Sequence, residues 1–438
     1  MQSRFLYFIL PGLFAFLPAT PGKIPHNPPH PEFVLSHNQF AFHLLDAVCA
    51  QDSTNSNKLV SPLSLYLTLG MLYNGAAHET RDSLAQVLQA ADIEIPNLNG
   101  LCKETMQQLP LEDQQVEFNI ANAIWYNRRK LTLLPQYEQL MENFYYAPVQ
   151  PLDFGSHAAA THINEWVSEN TSGEINTVIA NTSSSDAMLL VNALYFKSAW
   201  QRPFEVNDSY KGDFYLGDDF AHQVTYMRKT SVIRTFSDTS FTMVELPCGQ
   251  GRNFALYALL PQNQEKPINH WLPSITPGRI TDAIDKMTPQ YVDLSLPRWE
   301  CTYSMGDTRG ILAQLGIGPT FSVPGEADFS NMYGTGAHKA AVTHILHDTH
   351  IRVDEDGLVA AAAGGAQMTL GVNRNGPNLR VIRFDHAFAY LLMERQHDLI
   401  LMAGIVNDPM PGRTPPPPAQ AKPHRPLRSI LHVRHHTT

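Results

Sequence analysis

Residues 354–377 read DEDGLVAAAAGGAQMTLGVNRNGP, and the segment inside it, VAAAAGGA (359–366), fits neither a helix nor an ordinary core strand. Four alanines favour a helix, the glycine pair after them opposes it, and nothing is large enough to anchor packing. Its parity is that of a strand. From Leu358, alternate positions are Leu358, Ala360, Ala362, Gly364, Ala366 and Met368, none of them polar; the intervening Val359, Ala361, Ala363, Gly365, Gln367 and Thr369 hold the only polar side chains. Because successive strand residues face opposite sides, this pattern suits a half-buried strand. No charge or proline occurs from Gly357 to Asn373, so insertion between strands would desolvate no ion and leave no ladder donor missing. At about 0.5–1.5 kcal/mol per backbone hydrogen bond, such a strand supplies on the order of 10 kcal/mol, comparable with the net stability of a whole domain.

Outward from this segment the texture is strand-like. HILHDTH (344–350) precedes it, FAYLLM (388–393) and LILMAGIV (399–406) follow, and MLLVNALYF (188–196), FALYALLP (254–261) and YVDLSLPRW (291–299) share the short apolar pattern. The first third is mainly helical: PEFVLSHNQFAFHLLDAVCA (31–50) and SPLSLYLTLGMLYNGA (61–76) have helical spacing, the second with a Ser-Pro start. Helices first and strands later predict a mixed α+β fold around buried antiparallel sheets.

The chain has 438 residues, 43% hydrophobic, with a formal charge of −10, which gives ample core and argues against the extended cationic surface that nucleic-acid binding needs. FLYFILPGLFAFL (5–17), followed by small residues, reads as a secretory signal over 1–22 and is too short for a membrane span of about 20 apolar residues. A Pro-rich linker occupies 23–32, a single domain 33–410, and a Pro-rich basic tail 411–438. Secretion agrees with glycosylation sequons at Asn170, Asn181 and Asn207. Cys49, Cys102, Cys248 and Cys301 show no CxxC pair; some could pair in an oxidising compartment, but small core residues is the favoured reading.

No GxSxG, HExxH, P-loop or dinucleotide fingerprint is present, so no enzyme, metal or cofactor is expected. His344, His347 and His350 would share a face on a helix, but their flanks look extended, and on a strand His347 points away from the others. Ser64, Asn192 and His347 could be imagined as a hydrolase set, yet Ser64 lies in an apolar helix start, where a hydroxyl is more often a core hydrogen-bond node.

VSPLSLYLTLGMLYNGA (60–76), INEWVSENTSGEI (163–175), LLVNALYFKSAWQRPFEV (189–206), LGIGPTFSVPGEADFSNM (315–332) and VDEDGLVAAAAGGA (353–366) together resemble the serpins, in the family's order and over nearly the whole domain. The resemblance implies three β-sheets, about nine helices and an exposed reactive loop. It also implies a monomer that inhibits a serine protease as a suicide substrate: the protease cleaves the loop, the loop enters the large sheet as a new strand, and a 1:1 covalent complex is trapped. Carried over by position, the hinge comprises Glu355, Gly357, Leu358, Ala360, Ala361, Ala362 and Ala363. The shutter comprises Ser61, Ser64, Asn192 and His347, and Trp200 marks the breach. Counts from the two ends of the loop bracket the reactive bond between Gly371 and Gly376, with Gly371, Val372, Arg374 and Asn375 as its candidate positions. Arg374 is the only charge there and suits a trypsin-like protease.

Leu358 and Val359 depart from the family's Thr and Glu-like hinge residues, and Gly364 and Gly365 lower strand propensity, which keeps open a non-inhibitory carrier or chaperone. In the tail, Lys422, Arg425, Arg428 and Arg434 are candidates for a weak glycosaminoglycan contact.

Overall fold

The computed structural model describes residues 30–52, 55–216, 220–264, 267–305, 308–317, 327–334, 344–358 and 379–410. The leader, the tail and hinge alanines Ala360, Ala361, Ala362 and Ala363 lie outside them. So does the whole bracket of the reactive bond: Gly371, Val372, Arg374, Asn375 and, at its far end, Gly376.

Helix Pro62–Gly75 is buried along its whole length, with Leu63, Leu65, Leu67, Leu69 and Leu72 fully enclosed. At about 2 kcal/mol per buried leucine, this helix is a major source of cohesion. It begins where Pro62 occupies the first turn and the Ser61 hydroxyl accepts the Ser64 N–H. Helix Pro31–Gln51 packs on it, and helices His78–Val87, Ile95–Gln108, Pro135–Tyr145 and Ala158–Asn170 complete the helical first third. Ten α-helices occur among the described residues, close to the number expected.

Among those residues the strands join into two sheets. The nine-stranded one runs Lys58–Val60, Leu399–Val406, Phe388–Glu394, Phe254–Pro261, Phe241–Cys248, Ala221–Ser237, Thr288–Pro297 and Arg380–Arg383, with Tyr210–Tyr215 also on Ala221–Ser237. Strand Ala221–Ser237 is 17 residues long, pairs with Tyr210–Tyr215 and Thr288–Pro297, and at its end pairs with Phe241–Cys248. That continuity links in one hydrogen-bonded network what three expected sheets would separate.

The seven-stranded sheet runs Trp299–Ser304, Asp348–Val353, Gly357–Leu358, Met188–Ala199, Val116–Tyr126 and Val149–Pro151, with His344–Leu346 parallel to Met188–Ala199. Helix Pro62–Gly75 sits between this sheet and strand Leu399–Val406, so its polar first turn touches both. Helix Ala158–Asn170 covers the other face through Ile163 and Val167, packed with Trp125, Leu189 and Val191.

All four cysteines are buried and free, and burial pushes each thiol up to about 12. No helix among the described residues is long and apolar enough to cross a membrane.

Candidate functional site: a slot in the seven-stranded sheet and its polar latch

Strand Met188–Ala199 is paired from Met188 to Ser198 with Val116–Tyr126, but among the described residues its other edge is paired only at its ends. Leu189, Leu190 and Val191 pair with His344–Leu346, and Ser198 and Ala199 pair with Leu358 and Gly357. Opposite, Asp348–Val353 is paired with Trp299–Ser304 and meets Gly357–Leu358 only at Val353. Between 192–197 and 348–352 no strand is placed among the described residues. Among the described residues this leaves a slot about six residues long, roughly 20 Å, bounded at one end by the parallel pairing and at the other by Gly357–Leu358.

Alternation sets what an entering strand would meet. Asn192, Leu194 and Phe196 on one side, and His347, Thr349 and Ile351 on the other, are buried. Thr349 Oγ1 donates to the Leu59 carbonyl at 3.0 Å, so this face looks into the core. Tyr195 and His350 line a pocket on the opposite face, closed by Thr171, Glu174 and Ile175 beyond helix Ala158–Asn170. His347 and His350 thus lie on opposite faces, as strand parity requires. His350 Nε2 is 3.6 Å from Glu174 and 3.8 Å from Glu300, while Nδ1 is 2.9 Å from the Thr302 hydroxyl.

Leu358 is fully buried beside Ser198 and Val353, on the side that the apolar parity assigned to it. The preceding position admits only glycine. A β-carbon on Gly357 would overlap the Ser198 carbonyl oxygen and lie 2.7 Å from Ala199 Cα. The turn before it is fixed from several directions: Asp354 Oδ1 accepts the Asp356 and Gly357 N–H groups, and the Asp356 carbonyl accepts the Trp200 N–H at 2.9 Å. Glu355 is 3% exposed; its Oε1 accepts from Arg298 and from the Ser209 hydroxyl, each at 2.5 Å. Trp200, also buried, donates its indole N–H to the Asp354 carbonyl at 2.7 Å. Trp200 therefore holds the turn as well as filling space.

At the closed end of the slot the four positions read as a shutter come together, with a member that sequence reading missed. The Ser61 N–H donates to His347 Nε2 at 3.2 Å, and the Ser61 hydroxyl to the Leu401 carbonyl at 3.2 Å. The Ser64 hydroxyl donates to Asn192 Oδ1. Asn192 Nδ2 donates to Asn122 Oδ1 at 2.5 Å, and Asn122 Nδ2 to the Tyr145 carbonyl at 2.7 Å. Asn122 faces Asn192 in register and is equally buried. Its signal was available: a polar residue in the apolar strand VEFNIANAIWY.

Burial lowers the His347 imidazole to about 4, so it is neutral near pH 7 and accepts through Nε2. This disposes of the hydrolase reading, because Ser64 is directed at an amide oxygen and the imidazole lone pair is already taken. The arrangement links helix Pro62–Gly75, strands Met188–Ala199, Val116–Tyr126 and Leu399–Val406, and helix Pro135–Tyr145 through short side chains.

The sequons differ in access. Asn181 and Asn207 are exposed. Asn170 is half-buried and its Nδ2 donates to the Trp166 carbonyl at 2.8 Å, the atom to which a glycan would attach.

A family model described as Serpin (serine protease inhibitor) matches residues 35–409. Serpin-Z1C of Triticum aestivum is 28% identical over 403 residues, spanning 86% of this chain and 96% of its own length. Among solved structures, the thermophilic serpin tengpin in its native state superposes with a TM-score of 0.78 at 24% identity, covering 89% of this chain and 97% of its own. Human thyroxine-binding globulin, in complex with thyroxine, superposes with a TM-score of 0.77 at 22% identity, covering 86% and 98%.

Proposed function

The chain belongs to the serpin family, and from that premise we propose that it is a secreted inhibitor of a trypsin-like serine protease, acting as a suicide substrate. The observation that supports this reading is the slot with Leu358 already seated in its mouth. A strand-wide gap among the described residues, with Leu194, Phe196 and Ile351 on its core face and a chain segment of matching parity at its mouth, is what loop insertion needs. After cleavage within 371–376 the segment beginning at Val359 would continue from Leu358, placing Ala360 and Ala362 over Phe196 and Leu194. The acyl-linked protease would then be carried the length of the sheet before it deacylates. The polar latch at Ser61, Ser64, Asn122, Asn192 and His347 would re-pair as the strands part, and Trp200 would guard the point of entry.

Incubation with trypsin-like proteases then yields a 1:1 complex stable in SDS; clean turnover of the loop without complex would defeat the proposal. Mass spectrometry of the released C-terminal fragment locates the bond, and a cut before Gly371 or after Gly376 rejects the bracket. Cleavage of the leader after about residue 22 and glycans at Asn181 and Asn207 are expected on protein recovered from a eukaryotic secretion medium. Retention on heparin lost on deleting residues 411–438 is expected of the tail contact.

A second reading, a non-inhibitory carrier or chaperone, is favoured by Leu358 at a hinge position and by Gly364 and Gly365 in the inserting segment. Loop-cleaved protein with no gain in thermal stability would favour it.

A further inference from the structure

Strands Ala221–Ser237 and Phe241–Cys248 form a hairpin that pairs only over Thr235, Phe236 and Ser237 with Val244, Met243 and Thr242. Beyond Thr235 the two part: the first follows Thr288–Pro297 and the second follows Phe254–Pro261. The fork opens into a small solvent-connected pocket of about 40 Å³ lined by Gln201, Arg202, Lys229, Ser231, Arg234 and Glu245, with 232–233 and 246–247 as its walls.

The fork is rich in cations and poor in acids. Glu245, its one carboxylate, is 2% exposed and held between two guanidiniums: Arg234 NH1 at 2.7 Å, and Arg395. Lys229 and Arg202 have no carboxylate partner among the described residues. Lys229 Nζ lies 4.0 Å from the centre of the Phe204 ring and donates to the Arg202 carbonyl at 2.7 Å. Backbone donors add to this. Alternate residues of 231–234 turn their N–H groups, together with their carbonyls, toward the fork, where the opposing strand offers no ladder partner.

We propose that this fork binds a tetrahedral oxyanion of the phosphate or sulfate class, either free or as the terminal group of a phosphate or sulfate ester. Arg202 and Lys229 are its charged contacts, Ser231 and the fork-facing amides its neutral donors. Arg234 supplies field from within its pair with Glu245. Burial, with the charge of Arg202 second, lowers Lys229 to about 7, a cost that a bound dianion relieves. The site adjoins the breach. Trp200 bridges to Cys248, and the Gln201 N–H donates to the Pro247 carbonyl at 2.9 Å, so an anion held by Arg202 and the fork braces the end of strand Met188–Ala199 against the nine-stranded sheet. The inference is independent of the inhibitory reading.

The test is the apparent melting temperature of the full chain titrated with sodium sulfate or sodium phosphate, against sodium chloride at matched ionic strength. A saturable rise of several degrees with the oxyanions, absent with chloride, and lost in both R202Q and K229Q, is expected. R202Q is at the surface and remains informative if K229Q misfolds. Equal response to chloride, or a saturable oxyanion response retained in R202Q, overturns the proposal. Displacement of labelled phosphate by a sulfated disaccharide, but not by its unsulfated parent, would assign the ester source; displacement by inorganic ions alone would assign the free ion.

Discussion

The backbone N–H of Ser61 points at Nε2 of His347, 3.2 Å away and 286 positions later in the chain, and the imidazole is buried where only its neutral form can accept. Protonation would turn that acceptor into a donor facing another donor. Its folded pKa, about 4, lies below the usual 6.5, so its contribution is complete above pH 6.5 and is lost as pH falls toward 4. The full effect is on the order of 3 kcal/mol. His37, buried and likewise lowered to about 4, adds a parallel term. Resistance to denaturant is therefore expected to fall between pH 7 and 4, and His347→Gln to reduce that pH dependence. An unchanged slope in the variant would contradict this assignment.

Asn192→Ala takes a partner from both the Ser64 hydroxyl and Asn122, leaving two buried polar groups unsatisfied. A loss of about 2–4 kcal/mol is expected from chemical unfolding, at about 1–3 kcal/mol per orphaned group. Asn122→Ala should behave comparably, and the double variant should cost less than the sum because the two share one bond. Full additivity would separate them.

Gly357→Ala places a methyl group against the Ser198 carbonyl. The hinge should leave the sheet, exposing Leu358 and freeing Ser198 and Ala199. Hydrogen exchange at 198–200 and 356–358 is expected to accelerate by an order of magnitude or more, while exchange across the nine-stranded sheet stays unchanged.

Arg298→Gln deprives the enclosed Glu355 of its cation, leaving only the Ser209 hydroxyl. Because Arg298 is 43% exposed, solvent screening holds the loss to about 1–2 kcal/mol. Ser209→Ala combined with Arg298→Gln should exceed either alone and loosen the turn at 354–357, read as proteolytic susceptibility there. Protection equal to the parent protein would remove Glu355 from its anchoring role.

Leu358→Lys tests the inhibitory reading at its narrowest point, since a charge would have to sit on the core side of the slot. The expected outcome is a protease substrate instead of an inhibitor: complete loop cleavage with no SDS-stable complex. Undiminished complex would show that Leu358 does not take the core-facing position during insertion.

Much of this fold was legible because its signals are local. The enclosed helix Pro62–Gly75 announced itself by an unbroken apolar run with a Ser-Pro start, and the hairpin 388–406 by two apolar strands around ERQHD. The core-facing position of Leu358 followed from alternation alone. Ser61, Ser64, Asn192 and His347 could be grouped only through resemblance, since nothing in their spacing brings residues 61 and 347 together. Asn122 was missed because nothing in VEFNIANAIWY separates it from the neighbouring Asn119 until its register with Asn192 is known. The clamp of Arg298 and Ser209 on Glu355 and the fork at Thr235 depend on long-range pairing, which periodicity does not encode. The link between the expected separate sheets is of the same kind: the length of strand Ala221–Ser237 is local, but its partners are not.

The four enclosed thiols have a consequence for recovery after damage. In the native chain they are inert: burial holds their pKa values near 12, and with no disulfide to cut, a reductant leaves the fold untouched. Unfolding returns each to the ordinary value of about 8.5, where a measurable fraction is thiolate and cross-linking becomes rapid. In oxidising surroundings the first excursion out of the native state would thus be sealed by disulfides that the native fold lacks, and the molecule could not return to it.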